Sequence, residues 1–224
     1  MYYLGIDTST SACSCGILQD DKVICELNIN NQKTHSTTLC LLIQQAFALT
    51  GLTLEQMDGI ACVVGPGSFT GIRIGVCTAK GLAFGAKKPC YGIDTLDCLA
   101  VNGRQFAGTV CTILDARREQ VFGAAFEGGQ KILEDFAGPL EEYLQKLEGK
   151  KTLFLGDGAL AYREKIQNIL PDAQFGEKHL CYPKASAACI LAYEAGEKGA
   201  ISLYDLTPHY LRKSQAERLH GHER

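Results

Sequence analysis

Two aspartates at the ends of apolar runs and one glycine-rich loop are the residues with the most chemistry to offer. Asp7 closes YYLGID at residues 2–7 and Asp115 closes TVCTILD at residues 109–115; a polar turn and a further apolar run follow each. Between them, VVGPGSFTGIRIG passes from an apolar strand end through Gly65-Pro66-Gly67 to Ser68, which can cap a following helix. A strand, a glycine turn and a helix N-terminus make a generic anion site, because free backbone N–H groups and the helix dipole face the ligand. Paired aspartates beside such a loop could hold magnesium against the phosphates of a nucleotide.

The spacings depart from the known phosphate loops. No Gly-Lys-Ser or Gly-Lys-Thr triplet follows Gly65, Gly67 or Gly71, and the dinucleotide fingerprint would need glycine at Thr70, where Gly71 comes one place late. The aspartate turns read Asp7-Thr8-Ser9-Thr10 and Asp115-Ala116-Arg117-Arg118. Neither sets a glycine beside its aspartate, so side chains stand where backbone would have to approach a phosphate. Asp7, Thr8, Ser9, Gly65, Gly67 and Asp115 therefore mark a degenerate nucleotide cleft, and no catalytic residue, metal or cofactor is expected. His35, His179, His209, His220 and His222 include no HxxxH or HExxH pair, and the last two sit in a charged tail.

The elements that must position these residues follow from periodicity. Strands are expected at residues 2–7, 12–18, 22–29, 59–64, 90–93, 109–115, 120–126 and 152–155. Helices are expected over 36–49, from Ser68 to about Phe84 with a stop at Gly85, after Asp94 or Thr95, after the Gly156-Asp157-Gly158 turn, and over 185–195. The strand–aspartate–turn–strand unit occurs twice, so the expected fold is α/β, two similar halves of mixed sheet flanked by helices, over residues 1–103 and 104–224. This is the plan of the actin and sugar kinase superfamily, the ASKHA or ribonuclease H-like fold. That fold leaves an ATPase or phosphotransferase using Asp7 and Asp115 as the alternative reading.

Composition excludes other classes. The 224 residues are 46% hydrophobic and 21% charged, with a net charge of −3 and scattered basic pairs, which is not the basic stripe of a chain that binds nucleic acid by itself. No run has transmembrane length, and Asp7 interrupts the first apolar segment too soon for a signal peptide. Eleven cysteines without CxxC fit free thiols in a reducing cytoplasm, with Cys13 and Cys15 as small buried residues on one strand face.

Two helices are apolar on more than one face. On the second, Gly71, Gly75, Ala79 and Ala83 recur every four residues, and Ile72 and Val76 flank them. Each glycine costs about 1 kcal/mol relative to alanine, which points to close approach by another backbone. The first carries Leu39, Leu42, Ile43 and Phe47, with no charged residue between Lys33 and Glu55. These ten residues form the expected partner interface. Gly75→Leu and Leu42→Glu are accordingly expected to weaken pairing, the glycine replacement without loss of stability.

GIDTST at residues 5–10, His35-Ser36, the GPGSFTGIRIG run, Asp115-Ala116-Arg117 and Pro208-His209-Tyr210-Leu211-Arg212 together resemble the bacterial TsaB (YeaZ) family over nearly the whole chain. Thr37 departs from it, since an acidic residue often follows His-Ser there. The resemblance implies an accessory, non-catalytic subunit of the machinery that makes threonylcarbamoyladenosine next to the anticodon of tRNA. It implies pairing with the catalytic paralogue TsaD, with the ATPase TsaE joining the assembly, tRNA contacted only through the complex, and a homodimer when TsaD is absent. The superfamily's older glycoprotease label would require a metal-activated water, for which this sequence offers no ligand set.

Overall fold

The computed structural model describes residues 1–31 and 34–212. Lys213 and the His220 and His222 pair lie outside the described residues. The chain opens with three antiparallel strands, β1 (Tyr2–Asp7), β2 (Cys13–Gln19) and β3 (Lys22–Ile29). It continues through α1 (His35–Thr50), β4 (Gly59–Gly65), α2 (Phe69–Ala86) and β5 (Cys90–Asp94). β4 and β5 add in parallel, which gives the order β3-β2-β1-β4-β5.

A short helix, α3 (Thr95–Ala100), leads to β6 (Thr109–Asp115), β7 (Gln120–Glu127), β8 (Gln130–Pro139), α4 (Leu140–Gln145) and β9 (Thr152–Leu155). Next come α5 (Asp157–Ala161), α6 (Arg163–Ile169), the two-residue β10 (Gln174–Phe175) and α7 (Ala185–Ala195). The second sheet has the order β10-β9-β6-β7-β8. Reversed, it repeats the first sheet: β6 stands for β1, β9 for β4, and the antiparallel pairs are the same. Asp7 and Asp115 thus end the two central strands.

β1 is buried on both faces, which explains its unbroken apolar run. Leu4 and Ile6 pack with α1 and α2 on one side, and Tyr3 packs with α7 on the other. α3 lies between the sheets, its Leu96 and Leu99 packed with Val110, Leu114 and Leu155 of the second.

The structure differs from the sequence expectation at several points, the two-residue β10 among them. β8 and α4 were not anticipated, because β8 is a half-exposed strand in which Lys131, Glu134 and Asp135 interrupt the apolar residues. α2 runs past Gly85 to Ala86, and Lys87 takes the left-handed cap at φ 55°. α7 belongs by packing to the first sheet, although it falls in the 104–224 half. Its Ala-Ser-Ala-Ala start lies against Gly5 and Gly16, where a Cβ would collide with its backbone. Its first amides donate to Ser14 Oγ and Glu26 Oε2, both at 3.0 Å. Small residues on both sides admit a separation that larger side chains would forbid.

Candidate functional site

The first aspartate turn is sealed. Asp7, Thr8 and Ser9 are fully buried. Asp7 Oδ1 accepts the Ser9 N–H at 2.8 Å, and Oδ2 has no hydrogen-bond partner among the described residues. Burial pushes the Asp7 carboxyl up to about 7, against the hydrogen bonds from Ser9 that favour its charged form. Asp7 does not line the cleft between the lobes; Ser9, Thr10 and Ser11 do.

The glycine residues explain the sealing. Gly65 (φ 126°) and Gly67 (φ 154°) hold a backbone path that disfavours other residues, and a Cβ on Gly67 would strike the Ser9 carbonyl. Ser68 N–H donates to that carbonyl at 2.7 Å, and Ser68 Oγ caps α2 by accepting from Gly71 N–H at 3.2 Å. The small-residue stripe of α2 faces the same turn. Thr8 Oγ1 donates to the Gly71 carbonyl at 2.7 Å, and a Cβ on Gly75 would lie 2.5 Å from Thr8 Oγ1. The backbone that approaches α2 is therefore that of this chain's own β1 turn.

This corrects the expected interface. Gly71, Ile72, Gly75, Val76, Ala79 and Ala83 are buried in the first lobe, with Leu39, Leu42 and Ile43 of α1, and Phe47 packs against the same cluster. Periodicity identified the faces but not which of them the sheet covers. The outer faces of the two neighbouring helices carry a different set. Leu41 and Leu49 of α1 are 57% and 73% exposed, and Phe84 of α2 is 76% exposed. Nothing stands over Gly81 or Gly85. The charged residues of the two helices are Arg73, exposed and lying over the Phe69 ring, and Lys80, half-buried, both on α2.

The second aspartate turn stays open to the cleft. Asp115, Ala116, Arg117 and Asp157 line a cavity of about 570 Å³ together with Ser9, Thr10, His35, Ser68, His209 and Arg212. Asp115 Oδ1 accepts from Tyr162 Oη at 2.7 Å and from Arg117 N–H at 2.8 Å. Arg117, Arg118 and Glu119 all have positive φ, so this turn takes without glycine a conformation that side chains disfavour. Asp157 accepts the Asp115 N–H at 3.0 Å, and burial raises its carboxyl above the ordinary range. His35 Nε2 lies 2.8 Å from the Thr10 carbonyl, which ties α1 to the first turn. Among the expected cleft residues, Ser9, Gly67 and Asp115 line the cavity, Asp7 and Thr8 are buried outside its lining, and Gly65 packs on His209.

The fold also gathers residues whose spacing carried no signal. Asp94, Asp135 and His209 bring ligand atoms within 4.8 Å of one another. They come from β5, β8 and the C-terminal segment, so no local motif could have revealed the group. Lys131 Nζ already sits 2.7 Å from Asp135 Oδ1 and 2.9 Å from Asp97 Oδ1.

A family model described as TsaD, tRNA N6-adenosine threonylcarbamoyltransferase, matches residues 23–219. The tRNA threonylcarbamoyladenosine biosynthesis protein TsaB of Bacillus subtilis is 33% identical over 97% of this chain and 96% of its own length. The TsaB protein of Haemophilus influenzae is also 33% identical, over 93% of this chain and 92% of its own. YeaZ from Pseudomonas aeruginosa superposes with a TM-score of 0.81 at 27% identity, covering 94% of this chain and 99% of that one. A polyphosphate/ATP-glucomannokinase from Arthrobacter, at 11% identity and a TM-score of 0.51, shares the fold alone. The duplicated sheets are thus those of the actin and sugar kinase fold, and the chain belongs to the TsaB (YeaZ) family, within reach of the TsaD family model.

Proposed function

We propose that this protein is a non-catalytic subunit of the complex that forms threonylcarbamoyladenosine on tRNA, and that it pairs with TsaD through the outer faces of α1 and α2. The observation that carries this reading is the set of large apolar side chains those helices expose, on a surface whose charged groups are Arg73 and the half-buried Lys80. Leu41, Leu49 and Phe84 stand out from it, and Gly81 and Gly85 leave room for a partner helix. Large apolar side chains left exposed on adjacent helices are what an association surface offers a partner. In the absence of TsaD the same face pairs two copies of this chain. TsaE joins the assembly, tRNA is contacted through the complex, and the setting is the cytoplasm. No helix among the described residues is long and apolar enough to cross a membrane.

The ATPase or phosphotransferase reading has less support. It asks both aspartates to reach a metal–phosphate group, and Asp7 is turned away from the cavity beneath a glycine turn packed on Ser9. The deciding experiment is titration of Leu41→Glu and Phe84→Glu against TsaD. Both side chains are exposed, so the melts should match the parent, while a charge buried without a partner should weaken association by roughly ten- to a hundredfold. Unchanged affinity in both would place the joint elsewhere.

A further inference from the structure

The last described residues, 206–212, tie the two lobes together across the mouth of the cleft. Leu206 is buried in the first-lobe core, and the His209 N–H donates to the Val64 carbonyl at 2.7 Å. The Tyr210 ring stacks on Phe69 with centroids 4.5 Å apart, and its hydroxyl accepts from Arg73 Nε at 2.9 Å. Leu211 then packs against the apolar cluster of β6, β7 and α3, and Arg212 donates to the Ala116 carbonyl at 3.3 Å. Seven residues thus touch the end of β4, the start of α2 and the second aspartate turn, and four of them wall the cavity.

The imidazole of His209 stands at the joint. Its Nδ1 lies 2.9 Å from Asp94 Oδ2 at the end of β5, and an Asp135 carboxylate oxygen of β8 is within 4.8 Å. The other charged groups at this joint are Asp97 from α3, Lys131 from β8 and, farther out, Glu134. The Lys131 ammonium is shared between Asp97 and Asp135. Three carboxylates therefore face the Lys131 ammonium; Arg104, which borders the same pocket, is held by both oxygens of Glu194, so among the described residues at the joint a proton on His209 is the positive charge left to meet them. Lys131 already gives Asp135 the charge that a metal would bring.

We propose that residues 206–212 form a proton-operated strap, in which protonated His209 holds Asp94 of the first lobe and Asp135 of the second and keeps the mouth of the cleft closed. The hydrogen bond to Asp94 raises the imidazole above its ordinary range, and partial burial opposes it. The sign follows from linkage. A pKa raised in the closed form stabilises closure fully below the pKa of the released strap, and this is lost as pH rises through the raised value. Each unit of separation between the two values is about tenfold in the release equilibrium. Release would uncover the Tyr210 and Arg212 wall of the cavity and free Phe69 and Arg73 at the start of α2.

Hydrogen exchange on the full chain tests this, with each amide rate divided by its intrinsic rate at the same pH. Protection of the His209 amide, whose N–H is bonded to the Val64 carbonyl, should fall severalfold between about pH 5.5 and 8.5. In His209→Gln, which can still donate to Asp94 but gains no proton, protection should stay at the parent's high-pH level throughout. Both proteins carry Asp7, so its titration cancels in the comparison. Asp135→Asn, a second variant at a half-buried position, should shrink the pH step without abolishing closure. Flat protection in the parent, a pH profile in His209→Gln that follows the parent, or an undiminished step in Asp135→Asn would each overturn the strap.

Discussion

Replacing Asp7 by asparagine should make the protein more stable at neutral pH and leave it nearly unchanged in acid. The carboxyl is fully buried, with one oxygen bonded to Ser9 N–H and the other unpartnered. Burial raises its folded-state pKa from 3.8 to about 7. An acid with a raised pKa binds more protons in the folded state, so its contribution to stability falls as pH climbs from the unfolded value to the folded one. Three units at about 1.4 kcal/mol each make the full penalty about 4 kcal/mol above pH 7. About 1.5 kcal/mol of it is present by pH 5, so the parent should lose roughly 2.5 kcal/mol against the variant between pH 5 and 8. Asp94, Asp97 and Asp157 are also raised by burial and add the same pH dependence to both proteins, while Glu26, raised by burial and coupled to Asp7 by charge, adds a smaller difference of its own. Denaturant melts of both proteins at pH 5, 6, 7 and 8 isolate Asp7 as the difference. A difference that does not grow with pH would show that the carboxylate is solvated or reached by a cation, and the sealed-turn argument would fall with it.

Gly75→Leu should lower the melting temperature, because its Cβ meets Thr8 Oγ1 at 2.5 Å and overpacking typically costs about 1–3 kcal/mol; a melt equal to the parent's would return that stripe to the surface. Lys87→Gly should stabilise by about 0.5–1 kcal/mol, read as a rise in melting temperature, because the left-handed cap of α2 at φ 55° suits glycine better than lysine. Among the eleven cysteines, Cys40 and Cys77 are the exposed pair and should react first with a disulfide reagent under native conditions. Burial raises the thiols of Cys62, Cys98, Cys111 and Cys189, which should react only on unfolding.

Local periodicity and turn chemistry determined much of this protein without help from the tertiary structure. The strands ending at Asp7 and Asp115, the Ser68 cap of α2 and the approximate start of α3 follow from neighbours within a few residues, where hydrogen bonding and side-chain alternation act. The duplication was legible because the strand–aspartate–turn–strand unit occurs at both Asp7 and Asp115. What the sequence left undecided is what covers each face. A stripe of glycine and alanine permits any backbone to come close, and only the fold shows that Thr8 of the same chain fills it. The outward face of α2 with Phe84, the return of α7 to the first sheet, and the meeting of Asp94, Asp135 and His209 join residues far apart in the chain. Such contacts are chosen by how the two sheets pack around α3 and the C-terminal segment, and that choice leaves no signature in the spacing of the residues themselves.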